Sequence, residues 1–88
     1  MPGKFRGVKE PAYLKAVSRL CPSSFLWRRR LKRREDAVLE DPEHHGYHLG
    51  RLNHCNWVAP VERFYILYKI EKTGAGGVVR FRTFYGPK

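Results

Sequence analysis

Two groups of side chains in this 88-residue chain are of the kind that bind ligands or transfer protons. Arginine is typical of phosphate sites, because its planar guanidinium donates two parallel hydrogen bonds to phosphate oxygens. The first group is a basic run that only Leu31 interrupts, and its members are Arg28, Arg29, Arg30, Lys32, Arg33 and Arg34. The second group consists of His44, His45, His48, His54 and Cys55.

The excess positive charge is confined to the N-terminal part of the chain. Residues 1–34 hold eleven Lys and Arg and one acid, whereas residues 35–88 hold seven of each sign, so the net charge of +10 belongs to the first part. A field concentrated in this way favours a polyanionic partner. We therefore expect rRNA or another polyanion as the partner. The residues expected to bind it are Lys4, Arg6, Lys9, Arg28, Arg29, Arg30, Lys32, Arg33 and Arg34.

The histidine group suggests two kinds of chemistry. His44 and His48 are four residues apart, which on a helix suits a shared zinc ion, but Pro42 and Gly46 disfavour a helix there. No Cys-x-x-Cys pair is present, so we expect no metal and no cofactor. Small ribonucleases use histidine as acid or base beside a cation. The chain holds residues of these types, but not in a recognisable order. They are His45, His48 and His54 with Arg51 or Arg63.

The elements that must position these groups are predicted to form an α+β fold. Residues 1–10 lack periodicity and predict an extended basic arm, followed by a single small domain over residues 11–88. Apolar residues at three- and four-residue steps predict two short helices, over about residues 11–21 and 25–40. Pro22 separates the two helices.

A C-terminal β-hairpin is predicted after a histidine-rich loop that spans residues 41–60. Apolar and polar residues alternate over about 62–71 and 78–85, on either side of a glycine-rich turn. Aromatic residues alternate with arginines in the second strand, a pattern typical of sheets that stack nucleic-acid bases. Because so small a chain has few other core residues, we expect these rings in the core. They are Phe81, Phe84 and Tyr85.

Size and composition indicate a protein that works in an assembly inside the cell. A chain this short buries only about 60–65% of its unfolded surface, so we expect neighbouring protein subunits to complete its core. Cys21 and Cys55 are too few for a secreted disulfide framework. No apolar run reaches the ~20 residues of a transmembrane segment, which leaves peripheral membrane contact. The basic, acid-poor start is typical of an uncleaved organelle import signal, so we expect the mitochondrial matrix side, or otherwise the cytoplasm.

Three hypotheses of function follow. The first, which we expect, is a non-catalytic structural subunit of a large ribonucleoprotein, such as a mitochondrial ribosome, that contacts rRNA phosphates. The second is an accessory subunit of a mitochondrial membrane complex, such as a respiratory-chain or ATP-synthase complex, whose basic face meets anionic lipid or acidic subunits. The third is a small basic ribonuclease. The acidic stretch over residues 35–43 would either shield the arginines or meet a second, basic partner.

Overall fold

A computed structural model describes residues 5–20, 24–48, 56–74 and 76–86. It confirms an α+β fold with two helices, and within these residues it shows a five-stranded sheet where only a hairpin was predicted. The strand order is β1-β5-β4-β3-β2, in which β1 and β5 are parallel and the other neighbours antiparallel. In chain order the elements are β1 (Phe5–Lys9), α1 (Pro11–Leu20), α2 (Phe25–Glu40), β2 (Tyr47–His48), β3 (Asn56–Val61), β4 (Phe64–Thr73) and β5 (Gly76–Tyr85).

The two helices begin and end where local chemistry favours it. Pro11 opens α1, since its fixed φ suits a first helical residue and its missing N–H costs nothing there. The hydroxyl of Ser24 accepts a hydrogen bond from the backbone N–H of Trp27 at 3.2 Å and caps the N-terminus of α2. Asp41, immediately before Pro42, is the C-cap of α2. No helix in the described part of the chain is long and apolar enough to cross a membrane.

Both helices pack on one face of the sheet, and the hydrophobic core lies between the two layers. The ring of Tyr13 in α1 contacts Phe81 and Phe84 of β5, with ring-centroid distances of 5.4 and 6.1 Å. Trp27 of α2 meets Phe64 edge-on at 5.2 Å. Rings bury more area per residue than other side chains, which helps a small chain to build a core. The core consists of Tyr13, Ala16, Leu31, Val38, Ala59, Val61, Phe64, Ile66, Tyr68, Val79, Phe81 and Phe84.

Strand β1 is a correction to the predicted arm. Residues 5–9 were expected outside the domain, but they pair in parallel with β5, from Phe5 opposite Gly77 to Lys9 opposite Phe81. Phe5 packs against the core, and Gly7 lets the strand approach α2, because a Cβ there would lie 3.3 Å from Leu39. A short strand whose partner lies at the other end of the chain leaves no local signal. Residues 1–4 lie outside the described residues.

Two further strands lie where a loop over residues 41–60 was expected. Strand β3 pairs with β4 along its whole length, while β2 pairs only with Val58 and Trp57 of β3. In the sequence, Pro60 disfavours a central strand, because proline has no backbone N–H to donate to a neighbouring strand. The structure accommodates it, since Pro60 lies beyond the residues of β3 that β2 pairs.

The predicted hairpin is present as β4 and β5, with a β-bulge in the second strand. Phe81 and Thr83 pair with consecutive residues of β4, which leaves Arg82 without a counterpart. Simple alternation would place Tyr85 on the face of Phe81 and Phe84 on the opposite face. The bulge reverses this order after Phe81. Phe84 therefore lies in the core, as predicted, whereas Tyr85 is 41% exposed on the other face.

The second face of the sheet is covered by neither α1 nor α2. We call this surface the open face. Alternation and register place on it Arg6, Val8, Tyr47, Val58, Pro60, Tyr65, Leu67, Lys69, Glu71, Val78, Arg80, Thr83 and Tyr85. Val58 is buried, at 2% exposed, whereas the other members are partly or fully exposed.

Candidate nucleic-acid interface

Three arginines of the basic run lie on one flank of α2. Arg30, Arg33 and Arg34 are spaced by three and four positions, so they share one side of the helix. With His45 and Glu62 they line an open cleft of about 400 Å³. We call these five residues the arginine cleft. A cleft lined by several guanidinium groups focuses positive potential and suits phosphate.

The chain turn after α2 brings His45 to this cleft. The backbone N–H groups of His44 and His45 donate to the carbonyl oxygen of Asp41 at 3.1 and 3.2 Å, so the chain reverses directly after the helix. The Tyr68 hydroxyl donates to the carbonyl oxygen of Pro42 at 2.5 Å and fixes the turn to the sheet. Gly46 permits this contact, since a Cβ there would meet the Tyr68 hydroxyl.

Burial of Tyr68 affects its ionisation. Burial in the core, together with the nearby carboxylates of Asp41 and Glu43, raises the pKa of Tyr68 well above its usual range. The phenol therefore stays protonated and keeps donating to the turn in neutral and moderately alkaline solution.

The opposite wall of the cleft is the turn between β3 and β4. Glu62 in this turn has a φ of 56°, a left-handed conformation that costs a non-glycine residue about 1–3 kcal/mol. The conformation places its carboxylate at the cleft, where Glu62 Oε2 lies 3.6 Å from Nη1 of Arg30. Both side chains are about half exposed, so this ion pair contributes about 0–1 kcal/mol. One acid therefore faces three arginines.

Most of the basic run is left without acidic partners. Within the described residues, ion pairs of the run are those of Arg30 with Glu62 and of Lys32 with Asp36, at 3.6 and 3.5 Å. The Arg29 guanidinium lies 5.5 Å from the centroid of the Phe25 ring, a cation–π contact. The remaining members, Arg28, Arg33 and Arg34, make no ion pair within the described part of the chain.

The other predicted binding residues lie elsewhere. Arg6 is exposed on the open face and does not reach the cleft. Lys9 has a structural contact instead, because its Nζ lies 3.2 Å from Oε1 of Glu35. Lys4 lies outside the described residues. Of the eight predicted residues within the described part of the chain, the structure thus places three at the cleft and five elsewhere.

Glu35 is a buried carboxylate that ties three elements together. It is 6% exposed, and its Oε2 accepts a hydrogen bond of 2.5 Å from the Tyr13 hydroxyl of α1. Its Oε1 pairs with Lys9 of β1. A buried carboxylate needs such partners, because leaving it unpaired costs several kcal/mol. The contact sets α2 in place on the sheet and, with it, the flank that carries the arginines.

The three described histidines have different neighbours. His44 is exposed and bonds to Asp41 through Nδ1 at 2.5 Å, while the ring of His48 lies 5.2 Å from that of Trp57. His54, Cys55 and Arg51 lie outside the described residues, and Arg63 is exposed in the turn without lining the cleft. Among residues 5–20, 24–48, 56–74 and 76–86, no three potential ligands are close enough to hold a metal ion.

Sequence reasoning did not foresee the partners of the arginines. His45 was a candidate acid or base with Arg51 or Arg63, but the structure places it beside the arginines of α2. No sequence pattern predicts Glu62 at the cleft, because its position depends on the two-residue turn between strands β3 and β4. A search of protein-family models and of curated proteins found no match to this chain.

Proposed function

We propose that this protein is a non-catalytic RNA-binding subunit of a large ribonucleoprotein, such as a mitochondrial ribosome. One observation carries the proposal: Arg33 and Arg34 line a cleft and have no acidic partner in the described residues. Arginines gathered at a concave surface without counter-charge are suited to phosphate oxygens. Such contacts fix the position of a protein on RNA without reading its sequence.

The arrangement of charged residues along α2 supports this function. Its first turn holds no acid and its last turn no base, so its charged residues oppose the helix dipole. Phosphate groups along the arginine flank would offset this disadvantage. A proportion of the helix stability then comes from the bound RNA, as for a subunit that works inside an assembly.

The test is sedimentation of the endogenous protein in cell or organelle extracts with and without ribonuclease. A ribonucleoprotein subunit sediments with a heavy particle and moves to light fractions once RNA is destroyed. Persistence in the heavy fraction after complete RNA digestion would overturn the proposal. If the protein stays in a heavy complex from detergent-solubilised membranes after RNA digestion, that result would favour an accessory subunit of a membrane complex.

A second candidate function is RNA cleavage, and the composition of the arginine cleft favours it. His45 and Glu62 are residues of the types that act as general acid and general base, and they line the cleft together with three guanidinium groups. In such a reaction the 2′-oxygen of the RNA bonds to the adjacent phosphorus as a base removes its proton, and the bond from phosphorus to the 5′-oxygen breaks as an acid protonates the leaving oxygen. The arginines would stabilise the charge that develops on the phosphoryl oxygens.

Cleavage is tested with end-labelled RNA and purified protein. An active cleft yields products with a 2′,3′-cyclic phosphate, and His45→Ala and Glu62→Gln each lower the rate by roughly 100-fold or more. His44→Ala is the matched control, because this neighbouring histidine is exposed and does not line the cleft. If His45→Ala cleaves RNA as fast as wild type does, the cleavage comes from a contaminant, and only the binding function remains proposed.

A further inference from the structure

Three tyrosines lie on the open face, and two of them stack on each other. Tyr65 of β4 and Tyr85 of β5 are directly opposite each other, and their rings stack with centroids 5.5 Å apart and planes at 28°. Tyr47 of β2 is 53% exposed and Tyr85 is 41% exposed. Burial raises the pKa of the Tyr85 phenol, and the nearby phenols of Tyr47 and Tyr65 raise it further. We call the stacked rings of Tyr65 and Tyr85 the tyrosine pair.

A cationic pair lies farther along the same two strands. Lys69 and Arg80 are opposite each other, four residues along β4 from Tyr65, or about 13 Å at a rise of about 3.3 Å per residue. Both contact one carboxylate: Glu71 Oε2 lies 3.0 Å from Arg80 Nε and 3.9 Å from Lys69 Nζ. One acid facing two cations leaves a positive surplus, to which the exposed Arg6 of β1 adds.

The tyrosine pair lies next to the arginine cleft. Tyr65 follows Glu62 by three residues, so the two positions are at most about 10 Å apart along the chain. A polyanion that leaves the cleft over the turn between β3 and β4 therefore reaches the stacked rings next. The positive charge of the arginine cleft and of the open face, and the short distance between them, favour one polyanion that contacts both surfaces.

We propose that the open face binds unpaired bases of single-stranded RNA, which stack on Tyr65 and Tyr85 while Lys69 and Arg80 hold a phosphate. The inference rests on the proposed function and specifies the substrate as single-stranded RNA. Base stacking on aromatic side chains accepts every base, and adjacent cations hold the backbone. A stacked tyrosine pair also stabilises neighbouring strands. The experiment must therefore separate binding from stability.

Binding is measured with three probes of equal length: an oligouridylate, an abasic ribose–phosphate strand and an RNA duplex. Tyr85→Ala removes a partly exposed ring close to the chain end and is expected to weaken oligouridylate binding roughly 5- to 150-fold. Binding of the abasic strand and the duplex stays unchanged, because neither offers an unpaired base. Tyr85→Phe keeps the ring and restores binding. Phe25→Ala is the matched control, since Phe25 is an exposed ring on α2 that is not part of the open face.

Thermal unfolding of each variant shows whether the sheet is intact. A loss of affinity for all three probes in Tyr85→Ala, or no loss for any, would overturn the inference. Dissociation of a dimer in Tyr85→Ala, seen by sedimentation, would also overturn it by assigning the face to a second copy. If wild type binds none of the probes, the proposed function fails as well. If it binds all three equally well, only the inference about the open face fails.

Discussion

The salt dependence of RNA binding tests the arginine cleft directly. We consider the double variant Arg33→Gln/Arg34→Gln, which removes the two cleft arginines that have no acidic partner among the described residues. The control is Lys72→Gln/Arg82→Gln, because Lys72 lies 3.1 Å from Glu43 and Arg82 lies 3.7 Å from Glu10. Each variant lowers the net charge from +10 by two, so long-range attraction changes equally.

The magnitude follows from counterion release. Each phosphate contact of a single strand contributes about 0.7 to the slope of log Kd against log salt, so losing two contacts lowers the slope by about 1.4. At about 0.1 M salt this corresponds to about 2 kcal/mol, or roughly a 25-fold weaker Kd. The control pair already has acidic partners, so its loss should change the slope by well under half that amount.

The assay is fluorescence anisotropy of a labelled single-stranded RNA between about 0.05 and 0.4 M monovalent salt. Circular dichroism confirms that α2 is intact in both variants. Equal decreases of slope in the two variants would show that the protein attracts RNA through its net charge alone. That result would refute the assignment of Arg33 and Arg34 as direct phosphate contacts.

Three further predictions concern the framework that positions the cleft. Tyr13→Phe leaves the buried Glu35 with one partner fewer and should cost about 1–3 kcal/mol in thermal unfolding; wild-type stability would show that this hydrogen bond is not formed in solution. Because the pKa of Tyr68 is raised on folding, the unfolded state loses this proton first, so stability should fall as pH rises above about 10, and less steeply in Tyr68→Phe. Parallel pH curves in urea titrations would contradict the burial of that phenol. Gly46→Ala places a Cβ against the Tyr68 hydroxyl and should cost about 1–3 kcal/mol in chemical denaturation, whereas Gly74→Asn, at an open position with a φ of 58°, should cost less than about 1 kcal/mol. Equal effects of the two glycine substitutions would argue against the tight turn.

The local elements of the fold could be predicted from sequence because their signals are local. Both helices lie within a residue of their predicted ends, since Pro11, Ser24 and Pro42 act on adjacent backbone groups. Strand β1 could not be predicted, because its partner is β5 and no periodicity within residues 5–9 indicates it. Parallel pairing between chain ends is a property of the whole fold.

The candidate site was predictable only in part, for a related reason. The arginine run is visible as a charge pattern, and its helical spacing assigns Arg30, Arg33 and Arg34 to one flank. The facing wall depends on Glu62, which is positioned by strand β3, and β3 was hidden by Pro60. The exposure of Tyr85 depends on a bulge that a period of two cannot indicate.

The acidic stretch over residues 35–43 answers a question that the sequence left open. Four of its five carboxylates are engaged within the protein: Glu35 holds α1 and β1, Asp36 pairs with Lys32, and the remaining contacts join Asp41 to His44 and Glu43 to Lys72. Of the basic run, only Lys32 receives one of these acids. The stretch therefore assembles the fold without shielding the arginine cleft, and the sole acid at the cleft within the described residues comes from the turn between β3 and β4. Since folding supplies so little counter-charge to Arg33 and Arg34, an external polyanion is the partner that their position favours.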